Sequence, residues 1–317
     1  MMLEHLRLAQ YRFVLEMQDA LELPTFWGST LRGGFGHSFK RMACRRLGED
    51  CRLCADYDRC AYGYVFETRP PPDSEVLRTH DAVPRPFVFK IPAGRPLVYN
   101  AGDALEFGLL LVGQGIAYLP YFILALKVLG DEGIGPDRAH FRLKHVWARD
   151  PLGPWETLVY DGDSDALRNQ EHSIGMAEIE AAANQLSLDA VTLTLLTPMR
   201  VKVAGTIARE LPFQLLIRNI VRRLSSLSYF HCGARWETDY RALIANAGGG
   251  RATHTDLRWV AWERWSSRQQ QRIPMSGLVG TVCYTGEIAD YRTLLVIGSL
   301  IHAGKNTAFG NGQFGVQ

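Results

Sequence analysis

An α+β protein of two domains, each running β-α-β-β-α-β, is the fold class this sequence predicts, and three observations predict it. The chain has 317 residues, more than the roughly 100–200 that one domain usually takes. Apolar spacing alternates between a period of two and a helical period in the same order in each half. A polar, asymmetric stretch at 151–187, which includes Asp161-Gly162-Asp163-Ser164-Asp165, separates the halves as a linker. Domain boundaries follow at 1–150, with a cysteine-rich insertion at 44–60, and at 188–317.

Each element has a local reason. The period-two run from Leu6 to Leu15 is a half-buried strand. Leu31, Phe35, Phe39, Met42 and Leu47 fall at helical spacing, so 27–47 reads as a helix despite Gly33, Gly34 and Gly36. Tyr62 to Glu67, Phe87 to Ile91 and Leu105 to Val112 read as strands, Ala117 to Leu129 as a second helix closed by Gly130, and Phe141 to Ala148 as a strand. The second half repeats the order with strands at 190–203, 256–265 and 278–284, helices at 212–230 and 291–303, and a last strand at 307–316. No sequence repeat links the halves. Two tandem ferredoxin-like domains of this order are the expectation.

Composition narrows the function classes. Hydrophobic residues make up 47% and charged residues 21%, the balance of a packed protein. The longest apolar stretch, Ile116 to Leu129, is broken by Tyr118, Pro120, Tyr121 and Lys127 and falls short of the roughly 20 residues of a membrane span. The N-terminus lacks the pattern of a secretory signal, so no membrane partner and a cytoplasmic location are expected. Net charge is only +2. Arginine is nevertheless clustered, in Arg32-Lys40-Arg41-Arg45-Arg46, Arg218-Arg222-Arg223 and Arg264-Arg268-Arg272. Such clusters suit phosphate and bases and equally suit a solvated helix face.

Four of the six cysteines, Cys44, Cys51, Cys54 and Cys60, form C-x6-C-x2-C-x5-C. Four thiolates match the tetrahedral demand of zinc, and C-x2-C is the usual chelating turn. An iron–sulfur cluster and free thiols in a loop are the alternatives. With no vacancy for a substrate, a metal here would be structural.

The chain ends in Gly304-Lys305-Asn306 followed by Gly310-x-Gly312-x-x-Gly315. The dinucleotide fingerprint needs a following helix to hold pyrophosphate, and two residues after Gly315 leave no room for one. Gly304-Lys305 lacks the rest of a P-loop. Two readings stay open: bare amides with Lys305 and Asn306 that let a polyanion approach, or a tight turn closing an antiparallel strand.

Taken together, Leu31 to Gly36, the cysteine loop leading into Tyr62 to Phe66, Leu196 to Lys202, Arg222 to Leu227 and above all the stretch from Gly298 to Gly315 resemble the CRISPR-associated precursor-RNA-processing endoribonucleases of the RAMP superfamily. The resemblance implies a protein that binds CRISPR repeat RNA and cuts it without a metal, by 2′-hydroxyl attack leaving a 2′,3′-cyclic phosphate. It implies that mature CRISPR RNA and other subunits of an interference complex are partners. No cofactor is expected for catalysis.

Such cleavage needs a base, an acid and cations for the charge growing on phosphate. Among nine histidines, His37 is the candidate base or acid, because it sits in the first helix where this family often places its catalytic histidine. Lys40 and Arg41, at i+3 and i+4, share its face and are the candidate phosphate stabilisers. His302 is the second histidine candidate, with helix capping as its alternative role. RNA contacts are assigned to Arg32, Gly304, Lys305, Asn306, Gly310, Gly312, Arg222, Arg223 and Arg268. Trp259, Trp262 and Trp265 are expected to pack in the core. A non-catalytic subunit that holds CRISPR RNA, and a zinc-stapled scaffold without RNA, are the competing readings.

Overall fold

A computed structural model describes residues 3–70, 74, 83–168, 172–203, 205–266 and 270–317. The chain forms two compact units: residues 5–174 with 226–234, and residues 1–4, 175–225 and 235–317.

In the first unit, β1 (Leu8–Met17) leads to α1 (Gly28–Ala43) and a short α2 (Ala61–Phe66). There follow β2 (Phe87–Lys90), β3 (Ala104–Val112), α3 (Leu119–Glu132) and β4 (Phe141–Arg149). Two further strands, β5 (Glu156–Asp161) and β6 (Ala166–Leu167), extend the sheet. Every pairing is antiparallel, in the order β2-β3-β1-β4-β5-β6. The helices cover one face through an aromatic core. Phe13 stacks on Phe107 at 5.2 Å, and Phe35 meets Phe89 at 5.3 Å and Phe122 at 5.1 Å. Burying this apolar face is what drives the layer together.

The second unit holds α4 (Met176–Ala183), β7 (Ala190–Met199), α5 (Phe213–His231), whose last residues cluster with the first unit, and α6 (Tyr240–Asn246). It continues with β8 (Gly250–Val260), β9 (Glu263–Ser266), β10 (Gln271–Pro274), β11 (Gly277–Gly286), α7 (Arg292–Ile301) and β12 (Phe314–Val316). Its main sheet is antiparallel in the order β8-β11-β7-β12, with β9 and β10 pairing apart as a hairpin. Both units therefore carry β-α-β-β-α-β with the second strand at one edge and the fourth beside the first.

Several expectations are corrected. Tyr62 to Phe66 is helical: Tyr62 stacks on Phe66 at 5.0 Å, the i,i+4 contact of a helix. The first helix stops at Ala43, because Cys44 is extended and Leu47 stands 53% exposed. The second helix passes through Gly130 and ends at Gly133, whose φ of 84° suits glycine at a helix end. Residues 151–187 are not a bare linker; they supply β5, β6 and α4. The segment read as one strand over 256–265 belongs to two strands, β8 and β9. The last segment is a short 3-10 turn, Thr307–Phe309, followed by β12, not a continuous strand. The run Gly113–Glu132 has the length and hydropathy of a membrane span, yet Phe122, Ala125, Leu126 and Leu129 on it are buried in the unit's core.

Candidate functional site

In the first unit, α1 turns Leu31, Phe35 and Phe39 inward against α3, and Phe39 meets Phe122 at 5.7 Å. This leaves Gly33, His37 and Arg41, four residues apart, on the outer face. His37 and Arg41 are exposed and Lys40 is half-buried. The three candidate catalytic residues thus do lie within one turn. Their electrostatics differ from the expectation. Arg41 forms a 2.5 Å ion pair with Glu132, whose other oxygen accepts a 2.7 Å hydrogen bond from Ser38, so Arg41 already has a counter-charge. Lys40 lies 5.6 Å from the ring centre of Tyr62 and, with Arg41, sits in the last turn of α1, where the helix dipole favours cations.

Arg32 is half-buried. Its guanidinium packs 4.5 Å from the Phe66 ring, and Gly36 beside it has no side chain to displace it.

The cysteine loop is ordered largely by charge. Arg46 bonds Asp56 at 2.7 Å and Glu49 at 3.0 Å, and Arg52 clasps Asp50. Cys44, Cys51, Cys54 and Cys60 are free thiols of intermediate exposure. Burial pushes the Cys51 thiol up, nearby Cys44 and Cys60 add to this, and Lys40 opposes it. Among the described residues no group of three or more His, Cys, Asp or Glu side chains is arranged to hold a metal ion.

In the second unit, the glycine-rich end joins α7 to β12. Lys305 is exposed and Asn306 half-buried in a left-handed conformation, φ 64°. The rest is turned into its own unit. Gly310 and Gly312 are buried, which corrects their assignment as RNA contacts. A Cβ on Gly312 would stand 1.8 Å from the Ala303 carbonyl oxygen, and φ there is 73°. Glycine is therefore required by backbone packing, as in the tight-turn reading. Thr197 donates to the Gly310 carbonyl at 2.7 Å, and the Lys305 amide donates to the Arg200 carbonyl at 2.8 Å. His302 is fully buried, with Nδ1 3.2 Å from the Asn311 carbonyl, which makes it a structural residue of the loop and removes it as a catalytic candidate.

Cations flank this loop. Arg223 donates from Nε to the Ile301 carbonyl at 2.8 Å, and burial pushes its guanidinium down to about 9, still charged at neutral pH. Its Nη2 has no hydrogen-bond partner among the described residues. Arg222 is exposed. Arg264 lies 4.7 Å from the Phe309 ring, and burial lowers its pKa. Sequence reasoning placed Arg264 in a basic cluster without assigning it a contact; the four-residue spacing to Arg268 and Arg272 was the available signal. Arg268 lies outside the described residues. Of the three tryptophans expected in the core, Trp265 is 58% exposed on β9 while Trp259 and Trp262 are half-buried, with Arg209 over Trp259 at 3.7 Å.

Comparison with known proteins places this arrangement. Residues 6–172, more than half of the chain, match the AF_1859_N N-terminal domain family, and residues 193–314, which end on the glycine-rich loop, match the CRISPR-associated endoribonuclease Cas6 family. An uncharacterized protein of Archaeoglobus fulgidus is 28% identical over 298 residues, covering 93% of each chain. Among solved structures, a Cas6 product complex aligns with a TM-score of 0.58 at 15% identity, covering 98% of this chain and 99% of that one. Thermus thermophilus Cas6 aligns at 0.54 and 12% identity, covering 98% of both chains. A chain of a partial Cas6-RT-Cas1–Cas2 complex aligns at 0.57 and 12% identity, covering 98% of this chain and 46% of that one. The chain therefore belongs to the AF_1859_N family through residues 6–172, and its second half carries a domain that matches the Cas6 family of CRISPR-associated endoribonucleases.

Proposed function

We propose that this protein binds CRISPR repeat RNA through two ferredoxin-like domains of the RAMP type and cleaves it without a metal to give mature CRISPR RNAs. The observation that carries the reading is the Cas6 match over 193–314, which ends on a loop that has exposed Lys305 beside half-buried Asn306 and whose flanks hold Arg223 and Arg264. That loop offers charge and side-chain donors to a phosphate backbone.

On the first unit, exposed His37 is the residue proposed to move the proton. As base it takes the proton of the 2′-hydroxyl, whose oxygen attacks the adjacent phosphate. The 5′-oxygen then leaves with a proton from an acid, giving a 2′,3′-cyclic phosphate and a 5′-hydroxyl. Histidine suits this role because its ordinary pKa of about 6.5 lies near working pH. Lys40 stabilises the growing phosphate charge; Arg41 contributes only by leaving Glu132.

The Arg41–Glu132 pair favours a second reading, a subunit that holds CRISPR RNA without cutting it, since it neutralises one of the two cations beside His37. Other CRISPR proteins are the partners in either case, and the cytoplasm is the proposed location. A structural zinc on the four cysteines is proposed on their C-x6-C-x2-C-x5-C spacing alone, since the described side chains are not arranged as a metal site.

Repeat RNA incubated in EDTA with wild type and with His37→Ala tests the readings. Cleavage should persist in EDTA and fall about 10²–10⁴-fold in the variant, with affinity little changed. Binding with no cleavage by wild type selects the second reading. Metal analysis of the same preparations should show zinc at about one per chain.

A further inference from the structure

Outside these sites, the first unit holds a cleft of about 590 Å³ between the start of β1, the start of α3 and the end of α5. That volume lies within the roughly 300–1,000 Å³ of small-ligand sites. Its lining is chemically one-sided. Arg7, Arg168 and His5 stand at it, and none of the described lining residues is Asp or Glu. Arg7 is held by a 2.9 Å bond from Nη1 to the Leu6 carbonyl. The side chain of Arg168 is exposed on the residue after β6, with no hydrogen bond or ion pair among the described residues.

The lining also includes the apolar side chains Ile116, Leu119, Pro120 and Leu167. Leu167 is 43% exposed at the cleft. The floor adds no negative charge and little mobility. His231, fully buried, accepts or donates at both ring nitrogens, 3.0 Å from the Tyr64 hydroxyl and 2.7 Å from the Pro84 carbonyl. Burial pushes the neighbouring Cys232 thiol up, which keeps it protonated.

We infer that this cleft binds one nucleoside monophosphate unit, with its phosphate on Arg168 and Arg7 and its base against the apolar side chains of the lining. The guanidinium fork matches phosphate, and a flat heterocycle is the group that apolar side chains in the same cleft would accept. The same unit could come from a nucleotide of bound RNA or from a free nucleotide. The first source rests on the proposed RNA binding and is the one favoured; the second does not depend on it.

Titration of the full-length protein with repeat RNA, and separately with AMP, GMP, CMP and UMP, tests the inference, alongside Arg168→Glu and Ala117→Trp. Ala117 lines the cleft at an exposed position, so tryptophan there fills the space without entering the core; if that variant fails to melt cooperatively, Arg168→Glu alone decides. The expected result is that each variant raises the Kd for RNA about tenfold while the free mononucleotides bind only weakly. Mononucleotides that bind the wild type and not the variants, with RNA affinity unchanged, identify a free nucleotide as the occupant and uphold the site. If the wild type binds no repeat RNA, the proposed function fails and the mononucleotide arm alone decides the cleft. Unaltered RNA affinity in both variants together with no mononucleotide binding overturns the inference.

Discussion

Single residues in this protein are set as much by what they lose on burial as by what they touch. Lys90, at the end of β2, faces Gly108 across the strand pair and has Arg149 nearby. Burial first, and Arg149 second, push its ammonium down to about 8 from an ordinary 10.5. Between these two pH values the unfolded chain binds a proton that the folded chain does not, so stability rises with pH across the window. At pH 7 the buried charge is a cost. Lys90→Met should therefore raise Tm by about 2–4 °C at pH 7 and lose most of that advantage at pH 10, as read by thermal melts at the two pH values. An equal gain at both would show that packing, not charge, is responsible. His37 is the contrasting case: its helical position was legible in the sequence, whereas the pairing of its neighbour Arg41 with Glu132 joins residues 91 apart and was not.

Among the elements, the glycine-rich loop shows how a sequence pattern is divided by packing. Its glycines suggested one continuous approach surface for a polyanion. In the fold, Gly310 and Gly312 are enclosed by β7 and the end of α7, while Lys305 is exposed and Asn306 half-buried. Gly312→Ala should destabilise the protein by about 3 kcal/mol, because a methyl group there meets a carbonyl oxygen and the left-handed backbone also disfavours alanine. Chemical denaturation measures this. A stability within about 0.5 kcal/mol of wild type would mean that the loop relaxes freely. The helix at Ala61–Phe66 carries the same lesson: an alternating aromatic stretch looked like a strand, and the i,i+4 stacking of Tyr62 on Phe66 resolved it as a helix.

Across the whole molecule, the first unit is discontinuous in sequence. Residues 226–234 belong to it although they follow β7 and most of α5. His231 from this piece bonds Tyr64 and the Pro84 carbonyl. A fragment that ends at Ile174 lacks the piece and leaves the Tyr64 hydroxyl and the Pro84 carbonyl without their His231 partner. Such a fragment should melt below the full chain and bind more of a hydrophobic dye; restoring 226–234 as a linked segment should reverse both. A fragment as stable as the full chain would show that the piece is only an adjunct.

The sequence by itself determined the α+β class, the doubled β-α-β-β-α-β order and the placing of His37, Lys40 and Arg41 on one helix, because periodicity and helical spacing are local properties of the chain. It also singled out the glycine-rich end, which lies within the segment that matches the Cas6 family. Tertiary structure alone decided which glycines are enclosed, that Arg41 and Arg32 are already engaged, that 151–187 adds strands to the first sheet, and that Arg7 and Arg168 line one cleft. Those outcomes depend on contacts between residues far apart in the chain, and burial, charge pairing and close backbone approach are decided only once such residues meet.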